Sequence, residues 1–89
     1  MQSKELTIVN KLGLHARAAA KFVTLASQFQ CEVQVGKNGR TVNGKSIMGI
    51  MMLAAAKGSV LTVTVSGADE EMAMVRLEEL VGERFGEDE

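Results

Sequence analysis

Asn10-Lys11-Leu12-Gly13-Leu14-His15-Ala16-Arg17 holds the only histidine of the chain, in the turn that leads from an alternating apolar run into an Ala-rich segment. A histidine at the start of a helix lies beside backbone N–H groups that have no intrahelical partner, and the helix dipole adds positive character at that end. The turn is therefore expected to form an anion site with a nucleophile in it. Arg17 is close enough in sequence to bring a guanidinium to the anion, and Gly13 relaxes the backbone restrictions on the turn.

Upstream of the turn, Leu6 and Ile8 alternate with Thr7 and Val9, which predicts a strand ending near Asn10. Downstream, Arg17, Lys21, Thr24 and Gln28 recur at helical spacing on one side while Ala19, Phe22, Val23, Ala26 and Phe29 recur on the other, the mark of an amphipathic helix. Cys31, Val33 and Val35 then alternate with Glu32 and Gln34. The pair Asn38-Gly39 supplies the positive φ of a tight hairpin, whose return strand runs through Thr41 and Val42 to a turn at Asn43-Gly44.

Ser46 is placed to cap a short, heavily apolar helix over residues 47–53, a segment that Gly58 stops. Leu61, Val63 and Val65 alternate with Thr62, Thr64 and Ser66 as a further strand, turned at Gly67. Asp69 reads as the N-cap of a last helix, and Glu70 and Glu71 suit its positive end. Ala73, Met74, Leu77, Leu80, Val81 and Phe85 mark its apolar face to near the C-terminus. The acidic tail Gly86-Glu87-Asp88-Glu89 is expected to fray. The order strand, helix, strand, strand, helix, strand, helix predicts an α+β open-faced β-sandwich, a sheet covered on one side by helices, with residues 1–89 as a single domain.

Bulk properties narrow the function. A chain of 89 residues with 46% hydrophobic content suits one small domain, which buries roughly 60% of the surface its unfolded form exposes. Ten basic against eleven acidic residues, net charge −1, leave no overall positive field for nucleic acid or an anionic membrane. The lone Cys31 excludes an intramolecular disulfide and reads as a buried core thiol suited to a reducing compartment. No signal core or membrane span is visible, so a soluble cytoplasmic protein is expected.

One histidine and scattered carboxylates do not make a metal site of ordinary composition. A serine–histidine hydrolase needs an orienting acid, and nothing near His15 in sequence supplies one, although distant residues could. Gly36-Lys37-Asn38-Gly39-Arg40 lacks the spacing of a phosphate-binding loop. What remains is His15 itself as acceptor of a phosphoryl group on a ring nitrogen, with helix-end N–H groups and Arg17 stabilising the product by charge-assisted hydrogen bonds. By residue type alone, His15 is equally compatible with a partly exposed turn residue and Arg17 with a solvated helix charge. Their joint placement at a strand-to-helix junction favours chemistry.

These residues resemble the active-site motif of the HPr phosphocarrier proteins of the bacterial phosphoenolpyruvate-dependent sugar phosphotransferase system. Asn43-Gly44-Lys45-Ser46-Ile47-Met48-Gly49-Ile50-Met51 resembles the second signature of that family, and the match spans essentially the whole chain. The resemblance implies four antiparallel strands under three helices. It implies that enzyme I phosphorylates His15 at Nδ1, that Arg17 and the Ala16 backbone N–H attend the phosphate, and that enzyme IIA domains receive it. The protein would then be a monomeric carrier rather than a stand-alone catalyst, without cofactor or metal.

The family usually carries proline where this chain has Ala18. Alanine keeps the helix but restores an N–H and some freedom to its first turn, and is expected to leave transfer competent. Ser46 combines a capping role with the regulatory phosphorylation, by an HPr kinase/phosphorylase, that the resemblance implies. Ile47, Met48, Met51 and Met52 each read as core by type, yet so short a helix cannot bury all of them. The resemblance implies Ala20, Ile47, Met48, Met51 and Lys45 as the partner face, with Lys21 nearby. Other readings stay open: a carrier of the related nitrogen-type regulatory chain, an interaction module read through Ser46, or a small hydrolase of acyl phosphates.

Overall fold

The computed structural model describes residues Met1–Glu89. Four strands, β1 (Gln2–Thr7), β2 (Glu32–Lys37), β3 (Arg40–Asn43) and β4 (Val60–Ser66), form one sheet in the spatial order β1-β4-β2-β3. Every neighbouring pair is antiparallel, with Leu6 opposite Leu61, and Val35 opposite both Val63 and Val42. Three helices, α1 (Ala16–Ala26), α2 (Ile47–Met52) and α3 (Glu70–Gly82), complete the fold. The expected open-faced sandwich is thus the observed one.

The side-chain alternation explains the layering. On β4, Leu61, Val63 and Val65 are buried while Val60, Thr62 and Ser66 are exposed, and β2 repeats this with Val33 and Val35 against Glu32 and Gln34. The apolar face meets Ala18, Ala19, Phe22 and Ala26 of α1, Ile50 of α2, and Ala73, Met74, Leu77 and Val81 of α3 in one continuous core. β4 fits between β1 and β2 because both of its edges can pair while its apolar row stays on the helical side.

Local chemistry sets the connections. Asn38 and Gly39 adopt φ of 51° and 83°, the left-handed pair that a two-residue hairpin turn needs. The short α2 is held at both ends. The Gly49 N–H donates to Ser46 Oγ at 3.1 Å, as expected of a cap, while Lys37 Nζ donates to the carbonyls of Leu53 and Ala54 at 3.1 and 3.2 Å. No helix is long and apolar enough to cross a membrane.

Several expectations require correction. β1 ends at Thr7 rather than near Asn10, although Ile8 still exchanges backbone bonds with Ser59 (2.9 Å) and Gly58 (2.7 Å) before the chain leaves the sheet. α2 stops at Met52, where Ala54 turns left-handed, six residues before Gly58. Asp69 does not cap α3 with its side chain. Its carboxylate instead accepts the backbone N–H groups of Gln30 (2.8 Å) and Cys31 (2.9 Å), a stronger role because it satisfies two donors at the start of β2. Those bonds, Gln30 first, lower the pKa of Asp69 from its ordinary 3.8. Cys31 beside it is a buried thiol whose pKa burial pushes up, reinforced by Asp69.

The largest correction concerns the C-terminus. Phe85 is not on the face of α3, because the helix ends at Gly82 and Arg84, Phe85 and Gly86 turn left-handed with φ of 59°, 55° and 79°. Left-handed backbone is unfavourable for Arg and Phe. Complete burial of the Phe85 ring offsets it, as does the bond from Lys21 Nζ to the Phe85 carbonyl at 2.7 Å. The reversal lays the acidic tail back on the molecule instead of letting it fray, and Lys11 N–H holds the Glu89 carbonyl at 2.7 Å.

Because Asp69 is held ionised in the native state, its contribution to stability is complete above its ordinary pKa of 3.8 and is lost as pH falls through the lowered native value. Asp69→Asn is expected to lower the urea midpoint at pH 7, with the deficit relative to the parent shrinking as the titration is repeated toward pH 2.

Candidate functional site

The site is built on a turn with few alternatives. Gly13 has φ of +68°, and a Cβ there would lie 2.5 Å from the Ala55 carbonyl oxygen and 2.9 Å from Ala56 Cα. Only glycine fits such a position. The Leu14 N–H donates to that same Ala55 carbonyl at 2.8 Å, which ties the turn to the segment following α2. His15 follows as the N-cap of α1, with extended backbone (φ −72°, ψ 178°) and no side-chain cap bond.

The first backbone bond of α1 runs from Ala19 N–H to the His15 carbonyl at 2.8 Å. The N–H groups of Ala16, Arg17 and Ala18 therefore have no intrahelical acceptor, the arrangement that draws an anion to a helix start. Ala18 occupies the third helical position, so a proline there would forfeit no helical hydrogen bond. Arg17 is exposed and takes part in none of the four ion pairs of the molecule. It lines one open cleft with Lys11, Leu12, His15, Ala16 and Glu87.

The His15 side chain is 30% exposed, and its Nε2 meets Oε2 of Glu87, the other oxygen of which accepts from Asn10 Nδ2 at 2.9 Å. Asn10 is wholly buried, and its amide also donates to the Gly13 carbonyl at 2.8 Å. With both donor contacts made by Nδ2, Oδ1 is left without a partner. By bridging the Gly13 carbonyl and the Glu87 carboxylate, the amide fixes the distance between the turn and the tail. The Asn10 hydrogen bond, and after it the one from His15, lowers the pKa of Glu87 below its ordinary 4.5, so the carboxylate is ionised at neutral pH.

Sequence reasoning found His15, Ala16 and Arg17, which the structure brings to one cleft. It missed Glu87, which lies 72 positions from His15, and it gave the Asn10 side chain no role of its own. Asn10 stood within the motif, so its side chain could have been weighed; nothing local marks Glu87. The missing acid beside His15 is thus present, but the cleft lining contains no serine, threonine or cysteine to act as a hydrolase nucleophile. No three side chains of His, Cys, Asp and Glu type converge as a metal-holding group.

The second motif lies apart from the cleft, on α2 packed beside α1. Ile47, Met48, Met51 and Met52 are all exposed, Met48 at 73%, while Ile50 and Leu53 fill the core. Reading the four by type as core is therefore corrected: the helix turns one narrow stripe inward, and these four lie off it. Ala20 is half-buried, and Lys45 reaches back to the Phe29 carbonyl at 2.7 Å.

An open-faced sandwich with a lone histidine at the start of its first helix is the architecture of the HPr-like proteins. A family model described as the PTS HPr component phosphorylation site matches residues 2–83. The chain is 57% identical over 89 residues, all of both chains, to the phosphocarrier protein HPr of Neisseria meningitidis serogroup A. The crystal structure of HPr-C-His from Thermoanaerobacter tengcongensis superposes with a TM-score of 0.96 at 45% identity, covering 100% of each chain. A crystal structure of an HPr dimer from that organism gives 0.79 at 46% identity, covering 98% of this chain and 100% of the other. The chain belongs to the PTS HPr family.

Gly13→Ala is expected to cost about 1–3 kcal/mol of unfolding free energy through a forced left-handed alanine and a carbonyl clash. Chemical denaturation measures the loss, and the His15 ring resonances should shift with it.

Proposed function

We propose that His15 accepts a phosphoryl group from phospho-enzyme I on Nδ1 and passes it to enzyme IIA domains, the chain acting as a single-domain cytoplasmic carrier in sugar uptake. The observation that carries this reading is the cleft in which the imidazole, the free N–H groups of the first helical turn and the Arg17 guanidinium stand together. Nδ1 has no hydrogen-bond partner, whereas Nε2 is engaged by Glu87. An attacking lone pair is therefore available on the nitrogen that Glu87 leaves free. The Ala16 and Arg17 N–H groups with the guanidinium would neutralise the charge on the phosphoryl oxygens, and the partner would supply alignment and the remaining charge compensation.

The exposed apolar face of α2, Ile47, Met48 and Met51, with Ala20 and Lys45 at its margin, is the proposed docking surface, small and adaptable as a shuttle requires. Ser46 lies at its edge. Its phosphorylation by an HPr kinase/phosphorylase would set negative charge beside that face and oppose an acidic partner.

Incubation with phosphoenolpyruvate, magnesium and enzyme I, followed by mass spectrometry, is expected to yield one acid-labile, base-stable phosphate that His15→Ala abolishes; an unmodified parent chain would refute the reading. Arg17→Ala should slow uptake roughly tenfold or more while leaving the modified position unchanged. In the same assay Ser46→Asp should slow phosphorylation and Ser46→Ala should not, and equal rates for all three forms would remove the regulatory role.

A further inference from the structure

The tail residue Glu87 stands opposite the ring nitrogen that the proposed chemistry does not use, and its placement is over-determined. Phe85 is buried two residues before it, Lys21 holds the Phe85 carbonyl, and Lys11 N–H holds the Glu89 carbonyl two residues after it. Between these anchors Oε1 takes the Asn10 amide and Oε2 takes His15 Nε2. The side chain of Glu87 is only 16% exposed, in a molecule whose other acidic tail residues are open to solvent.

An ionised carboxylate can only accept hydrogen bonds, so the nitrogen facing it must carry the proton. We propose that Glu87 is a positioning residue for phosphoryl transfer: it fixes the His15 proton on Nε2, keeping the lone pair on Nδ1 and keeping that proton in place while the phosphoryl group is aboard. The inference rests on His15 being the acceptor.

The transfer then balances without any proton movement. On arrival, the Nδ1 electron pair forms the N–P bond as the bond from phosphorus to the donor's leaving atom breaks, and that atom keeps its pair. The ring becomes cationic, still protonated at Nε2, and is paired with the Glu87 carboxylate. On departure a lone pair of the acceptor's nucleophile forms its bond to phosphorus as the N–P bond breaks, the N–P electrons return to Nδ1, and neutral imidazole is the leaving group. If Nε2 had lost its proton, departure would require the far poorer leaving group imidazolate. Around this pair lie Lys11 and Arg17 in the cleft, Lys21 on α1, and Asp88 and Glu89 of the tail. None of these is in hydrogen-bond contact with the ring; Glu87 alone is.

Glu87→Gln provides the test because the change is isosteric. The Asn10 amide donates, so the new side chain must turn its oxygen toward Asn10 and its NH2 toward His15. Nε2 then becomes an acceptor and the proton moves to Nδ1. In histidine-labelled, unphosphorylated protein at alkaline pH, the two ring 15N shifts are expected to show protonated Nε2 in the parent and a shift of population toward protonated Nδ1 in the variant. Uptake from phospho-enzyme I should fall roughly tenfold or more, and the 31P titration midpoint of the phosphorylated variant should move to lower pH by about one unit.

Unchanged 15N shifts together with an unmoved 31P midpoint would overturn the role of Glu87. Truncation after Gly86 serves as a second variant: a midpoint lowered as in Glu87→Gln supports the inference, and a parental midpoint contradicts it. If the parent is not phosphorylated on His15, the acceptor reading fails instead, and the 15N comparison still decides whether Glu87 sets the tautomer.

Discussion

The buried amide of Asn10 joins three parts of the chain that lie far apart in sequence. One of its donor contacts holds the carbonyl of Gly13 and the other holds the carboxylate of Glu87, which in turn meets the His15 ring. Everything particular about the cleft follows from that chain of contacts. The turn is kept from opening, the tail is kept from leaving, and the imidazole is presented in one orientation. Oδ1 of the same amide has no protein partner, so the contacts of Nδ2 alone hold the side chain and packing elsewhere must support the arrangement.

That support comes from the sandwich. The apolar rows of β2 and β4 and the inner faces of the three helices form a single core, and the residues that frame the site are fastened to it from several directions. Leu14 is buried one position before His15, Ala18 and Ala19 are buried just after it, and Phe85 is buried two positions before Glu87. The histidine is thus a surface group flanked on all sides by core anchors. Such a site can expose a side chain without surrendering its geometry, because the backbone on either side of it is fixed by burial.

Charge is distributed with the same economy. The chain as a whole is nearly neutral, yet the cleft gathers Lys11, Arg17 and the positive end of α1 together with the acidic tail, to which Lys11 is paired through Glu89. Glu87 faces the ring nitrogen away from the proposed phosphoryl position, and Arg17 is unpaired. In the proposed mechanism, attraction for an anion and retention of a ring proton would thus fall to different residues. A carrier needs both: too strong a hold on the anion would trap it, and loss of the proton would spoil the leaving group.

The sequence by itself determined the element order, the open-faced layering, the hairpin at Asn38-Gly39, the Ser46 cap and the junction that carries His15 and Arg17. These rest on period, turn chemistry and capping, interactions that reach only a few residues along the chain. Tertiary structure alone decided where β1 and α2 end, because pairing with β4 and the inward stripe of one short helix set those limits. It also redirected Asp69 from its own helix to the backbone of Gln30 and Cys31, and it brought Glu87 back to His15. Both outcomes depend on groups nearly forty or more positions apart in sequence being brought together by the packed core. No local preference encodes such a meeting; the burial of Phe85, read from the sequence as one more apolar residue on a continuing helix, is what turns the tail home.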